Sequence, residues 1–346
     1  MRLLIIIVLI VLLVISVDYA VKGKIGDRLS QAVNQTSSSV IDNTLALQFR
    51  SITVPYLRSR TYSSKLGERH IYQENADYTS YLTSYSSDGL KINGLLTIPD
   101  GTSPRNGWPA IVFIHGYIPP AQYVTTERYL TYVDYLARNG FVVFKIDLRG
   151  HGDSEGKAGG GYFGSDYVVD TLNAYSALEN TTLVNKKAIG LWGHSMAGNI
   201  VLRTMAVKPT IPASVIWAGA VYSYVDQVKY GIHDDSYHPP EIANRQNNNR
   251  SELFKKIGSP SAVSPFWREV APTNYLTDLK GAIEIHHAED DPVVTIGYSR
   301  DLVALLDKTT IPHEFYTYPT GGHNIEDPSF TLAMQRTVEF FKKYLK

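Results

Sequence analysis

Residues 3–17 form the most apolar stretch of the chain, Leu, Ile and Val with only Ser16 interrupting. A buried core helix normally keeps a polar stripe, so a run without one belongs with segments that meet lipid. Residues 22–50 are rich in Ser, Thr, Gln and Asn and read as a solvated lead-in. From residue 78 the pattern changes. Residues 81–86 alternate, Asp88-Gly89 supplies a tight turn, and residues 91–98 return as an antiparallel partner. Short apolar runs at 110–114, 141–146, 188–192, 214–218, 282–287 and 314–318 read as buried parallel strands. Helical patterns at 125–138, 166–178, 196–207, 296–306 and 331–344 lie between them. Strand and helix alternate, which predicts an α/β fold on a mostly parallel, doubly wound sheet. The expected division is an N-terminal membrane anchor or signal segment at 1–21, a stalk at 22–77 and one domain over 78–346. Residues 222–280 break the alternation with a long aromatic and polar stretch. They read as a lid-like insertion or a merely solvated excursion.

Composition narrows the classes. The chain has 346 residues, 44% of them hydrophobic, enough for one large domain. Thirty-three basic and 33 acidic residues balance without a Lys/Arg block, which argues against a nucleic-acid partner. Cysteine is absent, so disulfides, thiolate metal sites and Cys-linked lipids are excluded. Around the N-terminal run, Val14 with Ser16 fits a cleavage site tolerably and Asp18 with Ala20 fits badly, so an uncleaved anchor is expected. Lys22, Lys24 and Arg28 outnumber Arg2, and the positive-inside rule therefore favours a cytoplasmic domain. Against that rule we expect an extracytoplasmic catalytic domain, secreted if the segment is cleaved.

The chemistry centres on Gly193-His-Ser-Met-Ala-Gly198, where an apolar strand runs into a small-residue turn with Ser195 at its apex. In a nucleophile elbow the residues two before and two after the serine must be nearly side-chain-free. Gly193 meets this, and Ala197, the next smallest residue, is followed at once by Gly198. A hydroxyl needs a base, and His323, after Gly321-Gly322 and the last strand, falls last in chain order. His115, His151, His286 and His287 are competitors that read as structural. The third member is a carboxylate between Ser and His in sequence. Asp291, in Asp-Pro-Val-Val, is the choice, with Asp290 its rival and Glu289 a surface residue. The backbone amides of Met196 and Tyr117 are the expected oxyanion donors. His233–His238 and His286–His287 lack convincing metal-ligand spacing, and Gly159–Gly161 lacks the lysine of a phosphate loop. No metal or cofactor is expected.

Together, His115-Gly116, Asp147-Leu-Arg-Gly-His-Gly-Asp-Ser154, Gly193-His-Ser-Met-Ala-Gly198, Asp291-Pro-Val-Val and Gly322-His323 resemble the α/β-hydrolase superfamily over roughly residues 80–346. Ser264-Pro-Phe-Trp-Arg-Glu-Val-Ala-Pro-Thr-Asn-Tyr-Leu276 further resembles the catalytic domain of prolyl-oligopeptidase-type peptidases and their esterase relatives. The resemblance implies acyl-serine catalysis by Ser195, Asp291 and His323 without a cofactor. Two departures are Ala197 for the usual Gly and His287-Ala288 for the frequent His-Gly. A size-screening β-propeller is not expected from the upstream residues, so any gating would fall to the insertion. Tyr222, Tyr224, Phe266 and Trp267 would wall a substrate pocket or pack as core. The expected function is hydrolysis of a small-molecule ester or short peptide. The alternatives are acyl transfer on the same triad and a catalytically silent binding module.

Overall fold

The computed structural model describes residues 49–233 and 250–346. The expected anchor, residues 22–48 of the expected stalk and most of the polar run at 244–251 lie outside the described residues. Among those described, no helix is long and apolar enough to cross a membrane. A compact unit runs from Ser51 to Lys346.

Helix α1 (Val54–Arg58) and strand β1 (His70–Glu74) precede the hairpin β2 (Tyr78–Ser87) and β3 (Leu90–Pro99). Then β4 (Trp108–Ile114), α2 (Leu130–Arg138), β5 (Val142–Ile146), α3 (Asp166–Glu179), β6 (Val184–His194), α4 (Met196–Val207) and β7 (Ala213–Trp217) alternate. Helices α5 (Val225–Tyr230) and α6 (Pro265–Val270) lie in the insertion, followed by β8 (Ala282–Ala288), α7 (Gly297–Leu306), β9 (His313–Tyr318) and α8 (Phe330–Tyr344). Nine strands form one sheet in the order β1-β2-β3-β5-β4-β6-β7-β8-β9. The first three and the β3–β5 junction are antiparallel, and β5 onward is parallel.

Parallel strands are covered on both faces, which is why their sequences read as continuous apolar runs. Every residue of β5 and β7 is buried. Ile111, Phe113, Trp192, Val215 and Trp217 join the core cluster that includes residues of α2 and α8, and the Phe113 and Trp192 rings stack with centroids 4.1 Å apart. The other face carries α3 and α4, and all twelve residues of α4 are buried.

Two features differ from the sequence pattern and a third settles an open alternative. Strand β1 is exposed at all five positions and has no alternation to mark it. The helix expected at 125–138 begins only at Leu130, because Tyr129 adopts a left-handed backbone, φ 62 and ψ 17. Tyr222, Tyr224, Phe266 and Trp267 are buried, so both ends of the insertion fold down as core. Because β5 and β6 flank β4 on opposite sides, crossovers diverge there. Such a switch point leaves a crevice at the carboxyl ends of the strands.

Candidate active site

Ser195 sits at the carboxyl end of β6 with φ 56 and ψ −119, a conformation that only a well-held turn keeps in a non-glycine residue. Its amide donates to the Trp217 carbonyl at 2.9 Å, and its carbonyl accepts from the Gly198 amide at 2.9 Å. The turn is close-packed. A Cβ on Gly193 would lie 3.0 Å from the Ala197 Cβ, and one on Gly198 would lie 2.7 Å from the Gly219 Cα. Ala197 therefore fits because Gly193 opposite it has no side chain. Met196 is the first residue of α4, so its amide has no partner within the helix.

His323 Nδ1 donates to Asp291 Oδ2 at 2.8 Å. The Asp291 side chain is fully buried and that of His323 is 17% exposed. Burial alone would raise the Asp291 pKa, but hydrogen bonds from His287, His323 and the Val294 amide outweigh it and hold the carboxyl well below the ordinary range. Its Oδ1 also accepts from the amides of Val293 and Val294, at 2.8 and 2.9 Å. Asp290 is exposed and does different work: it accepts from the amides of Gly321 at 3.3 Å and Gly322 at 2.8 Å, which anchors the loop before His323. No hydrogen bond among the described residues joins Ser195 Oγ to His323, and unliganded triads are often loose at this link.

The loop after β4 is pinned from beneath. His115, fully buried, contacts the Gly116 and Asp147 carbonyls at 2.6 and 2.9 Å. The buried Asp147 carboxylate accepts from Tyr123 Oη at 2.8 Å and Thr125 Oγ1 at 2.7 Å, and Lys145 Nζ donates to Tyr123 Oη at 3.1 Å. Desolvation lowers the Lys145 pKa to about 8 even with Asp147 opposing it. Arg149 and Asp170 form a buried pair at 2.6 Å that ties the Asp147–Ser154 loop to α3. This motif is a scaffold for the loop that carries Tyr117.

Ser195, His323 and Tyr117 line one cleft of about 880 Å³, together with His194, Tyr129, Tyr132, Arg128 and Asp327 among others. Asp291 stands behind His323. The four aromatic residues that suit a pocket wall or a core equally are not part of this lining, and no described residue of the insertion is. Three of them pack together instead: the rings of Tyr224 and Trp267 lie 5.6 Å apart, and those of Phe266 and Trp267 5.5 Å. His286 bonds to Glu284 and Tyr318 and is a satisfied core residue. Among the described residues no group of three or more His, Cys, Asp or Glu is placed to hold a metal ion.

Residues 108–261 match the family model of serine aminopeptidases, S33. The chain overlays an acetyl xylan esterase from Paenibacillus with a TM-score of 0.62 at 17% identity, covering 87% of this chain and 94% of that one. The chain has the α/β-hydrolase fold. A puromycin-hydrolysing peptidase from Mycobacterium tuberculosis overlays this chain with a TM-score of 0.61 at 18% identity, over 79% of this chain and 41% of that one. A dipeptidyl aminopeptidase BIII from Pseudoxanthomonas mexicana is 22% identical over 74% of this chain and 37% of its own length. A dipeptidyl peptidase family member 6 from Caenorhabditis elegans is 22% identical over 60% of this chain and 27% of its own. The chain thus spans between a quarter and two-fifths of the length of these curated relatives. Ser195, Asp291 and His323 follow strand ends, where sequence exposes them. Tyr129, His194 and the Asp290 cap leave no such signal, because their partners are distant in the chain.

Proposed function

We propose that this protein is a serine hydrolase that cleaves a small ester or a short peptide or amide through an acyl-enzyme on Ser195. The observation that carries the reading is the 2.8 Å bond from His323 to a buried, ionised Asp291 at the rim of the cleft that Ser195 enters. With Nδ1–H committed to Asp291, His323 Nε2 is the proton acceptor. Ser195 Oγ attacks the acyl carbon as its proton moves to Nε2, and the oxyanion is received by the amides of Met196 and Tyr117. Collapse breaks the bond to the leaving oxygen or nitrogen, which takes the proton from His323. Water then repeats the sequence and frees the acid. Each oxyanion donor contributes on the order of 3 kcal/mol of transition-state stabilisation.

The peptidase and esterase names among the relatives support this substrate range. A panel of short-chain chromogenic esters and of Ala-Pro and Gly-Pro amides tests it. Turnover of either group that disappears in Ser195→Ala supports the reading, and turnover that survives in that variant contradicts it. We further propose that residues 1–21 anchor the enzyme to a membrane with its catalytic domain extracytoplasmic. Resistance of the full-length chain to alkaline extraction supports anchorage; its release contradicts it.

A further inference from the structure

The proposed reaction needs three loops in register: the one after β4 with an oxyanion donor, the elbow after β6, and the one after β9 with the base. One chain of hydrogen bonds crosses all three. The Gly116 amide donates to Tyr129 Oη at 3.0 Å, Tyr129 Oη lies 2.7 Å from His194 Nδ1, and His194 Nε2 lies 2.8 Å from the His323 carbonyl oxygen. The proton positions follow from the partners. A carbonyl oxygen only accepts, so His194 Nε2 carries a hydrogen. Desolvation, reinforced by the neighbouring His323, lowers the His194 pKa to about 3, so at neutral pH the ring has that one proton and a bare Nδ1. Tyr129 therefore donates to Nδ1 while its oxygen accepts from Gly116.

Two further features tie this chain to the site. Tyr129 reaches His194 from a left-handed backbone position at the start of α2, a conformation costly for a bulky residue unless its surroundings hold it there. One helical turn on, Tyr132 Oη donates to the Asn324 carbonyl at 2.8 Å, so α2 holds the base loop at the carbonyl next to the one that His194 holds. His194 itself is 2% exposed, and its ring centroid is 4.6 Å from that of His323.

We propose that Tyr129 and His194 are positioning residues: this one-directional strap sets the oxyanion loop and the base loop against Ser195. The inference rests on the serine-hydrolase reading. Its consequence is that the Gly116 amide is committed to the strap and is not the oxyanion donor of the proposed reaction. Losing the strap lets the two loops drift relative to Oγ. Misplacement of about an ångström costs on the order of 100-fold in rate.

The test compares the wild type with Tyr129→Phe, His194→Asn and His194→Gln. The rate constant of fluorophosphonate labelling is measured with the end-point adduct by intact mass, alongside kcat and KM on a short-chain ester and the melting temperature. Tyr129→Phe is expected to label to the same end-point on the order of 10- to 100-fold more slowly, with kcat falling and KM changing little. His194→Gln, whose amide nitrogen reaches the His323 carbonyl, is expected to recover part of the rate lost in His194→Asn. Leu178→Ala, fully buried at the carboxyl end of α3, serves as the comparison for a purely structural loss, with a lower melting temperature and an unchanged rate per labelled site. Variants that label fully and within twofold of the wild-type rate overturn the proposal. Should the variants not fold, ring ¹⁵N shifts of wild-type His194 decide: an Nε2–H neutral tautomer at pH 7 supports the strap, whereas an Nδ1–H tautomer or an imidazolium overturns it. A wild type that never labels overturns the hydrolase reading first, and this inference with it.

Discussion

Asp290 and Asp291 are adjacent in sequence and separated by burial. Asp291 receives His323, His287 and two backbone amides in a site closed to water, whereas Asp290 stays exposed and caps Gly321 and Gly322. Asp291→Asn keeps the shape but cannot hold the histidine in the required tautomer, so kcat is expected to fall by about 10³- to 10⁴-fold. Asp290→Asn retains one acceptor for the glycine amides and is expected to cost about tenfold or less. Steady-state kinetics on one ester distinguishes the two, and a larger loss for Asp290→Asn overturns the assignment. Sequence places the proposed acid only to within this pair, because two neighbouring carboxylates look alike until burial is known. Ser195 is more legible, since the elbow demands small residues at fixed offsets around it. Tyr129 and His194 are illegible for the opposite reason: they are 65 residues apart, and only the sheet brings them together.

At the scale of elements, strand and helix periodicity locates eight of the nine strands, because buried parallel strands have little choice of residue. It fails for β1, whose exposed positions carry no pattern, and at the start of α2, where the Tyr129 backbone rather than propensity sets the boundary. The Asp147–Ser154 motif marks the site without entering it. Arg149 and Asp170 are buried and bonded to each other, and the remaining carboxylates of Asp166, at 3.3 Å, and Asp88, at 3.9 Å, are more exposed, so Asp170→Ala leaves the buried guanidinium only its longer contacts and is expected to destabilise the fold by about 3 kcal/mol in urea unfolding. Lys145 gives a pH signature. Its folded pKa, about 8, lies below the ordinary 10.5, so between these values the unfolded chain binds a proton that the folded chain has released. Stability from this group therefore rises as pH increases from about 8 to about 10.5. The wild type should gain stability over that window relative to Lys145→Met; a difference independent of pH contradicts the burial argument.

Over the whole molecule, the sheet order brings the ends of β4, β6, β8 and β9 to one edge, and each contributes one part of the site: Tyr117, Ser195, Asp291 and His323. That assembly is legible in sequence because a parallel sheet puts every strand's carboxyl end on the same side. The contribution of the insertion is not, since aromatic residues at its two ends suit a pocket wall and a core equally well, and packing decides for core. The central claim is that this assembly makes Ser195 the nucleophile. The most direct measurement is fluorophosphonate treatment of the folded full-length protein, followed by intact mass and peptide mapping. One adduct per chain, on Ser195 and absent from Ser195→Ala, is the predicted result; an unmodified Ser195 in folded protein, or an adduct on another residue, would contradict it.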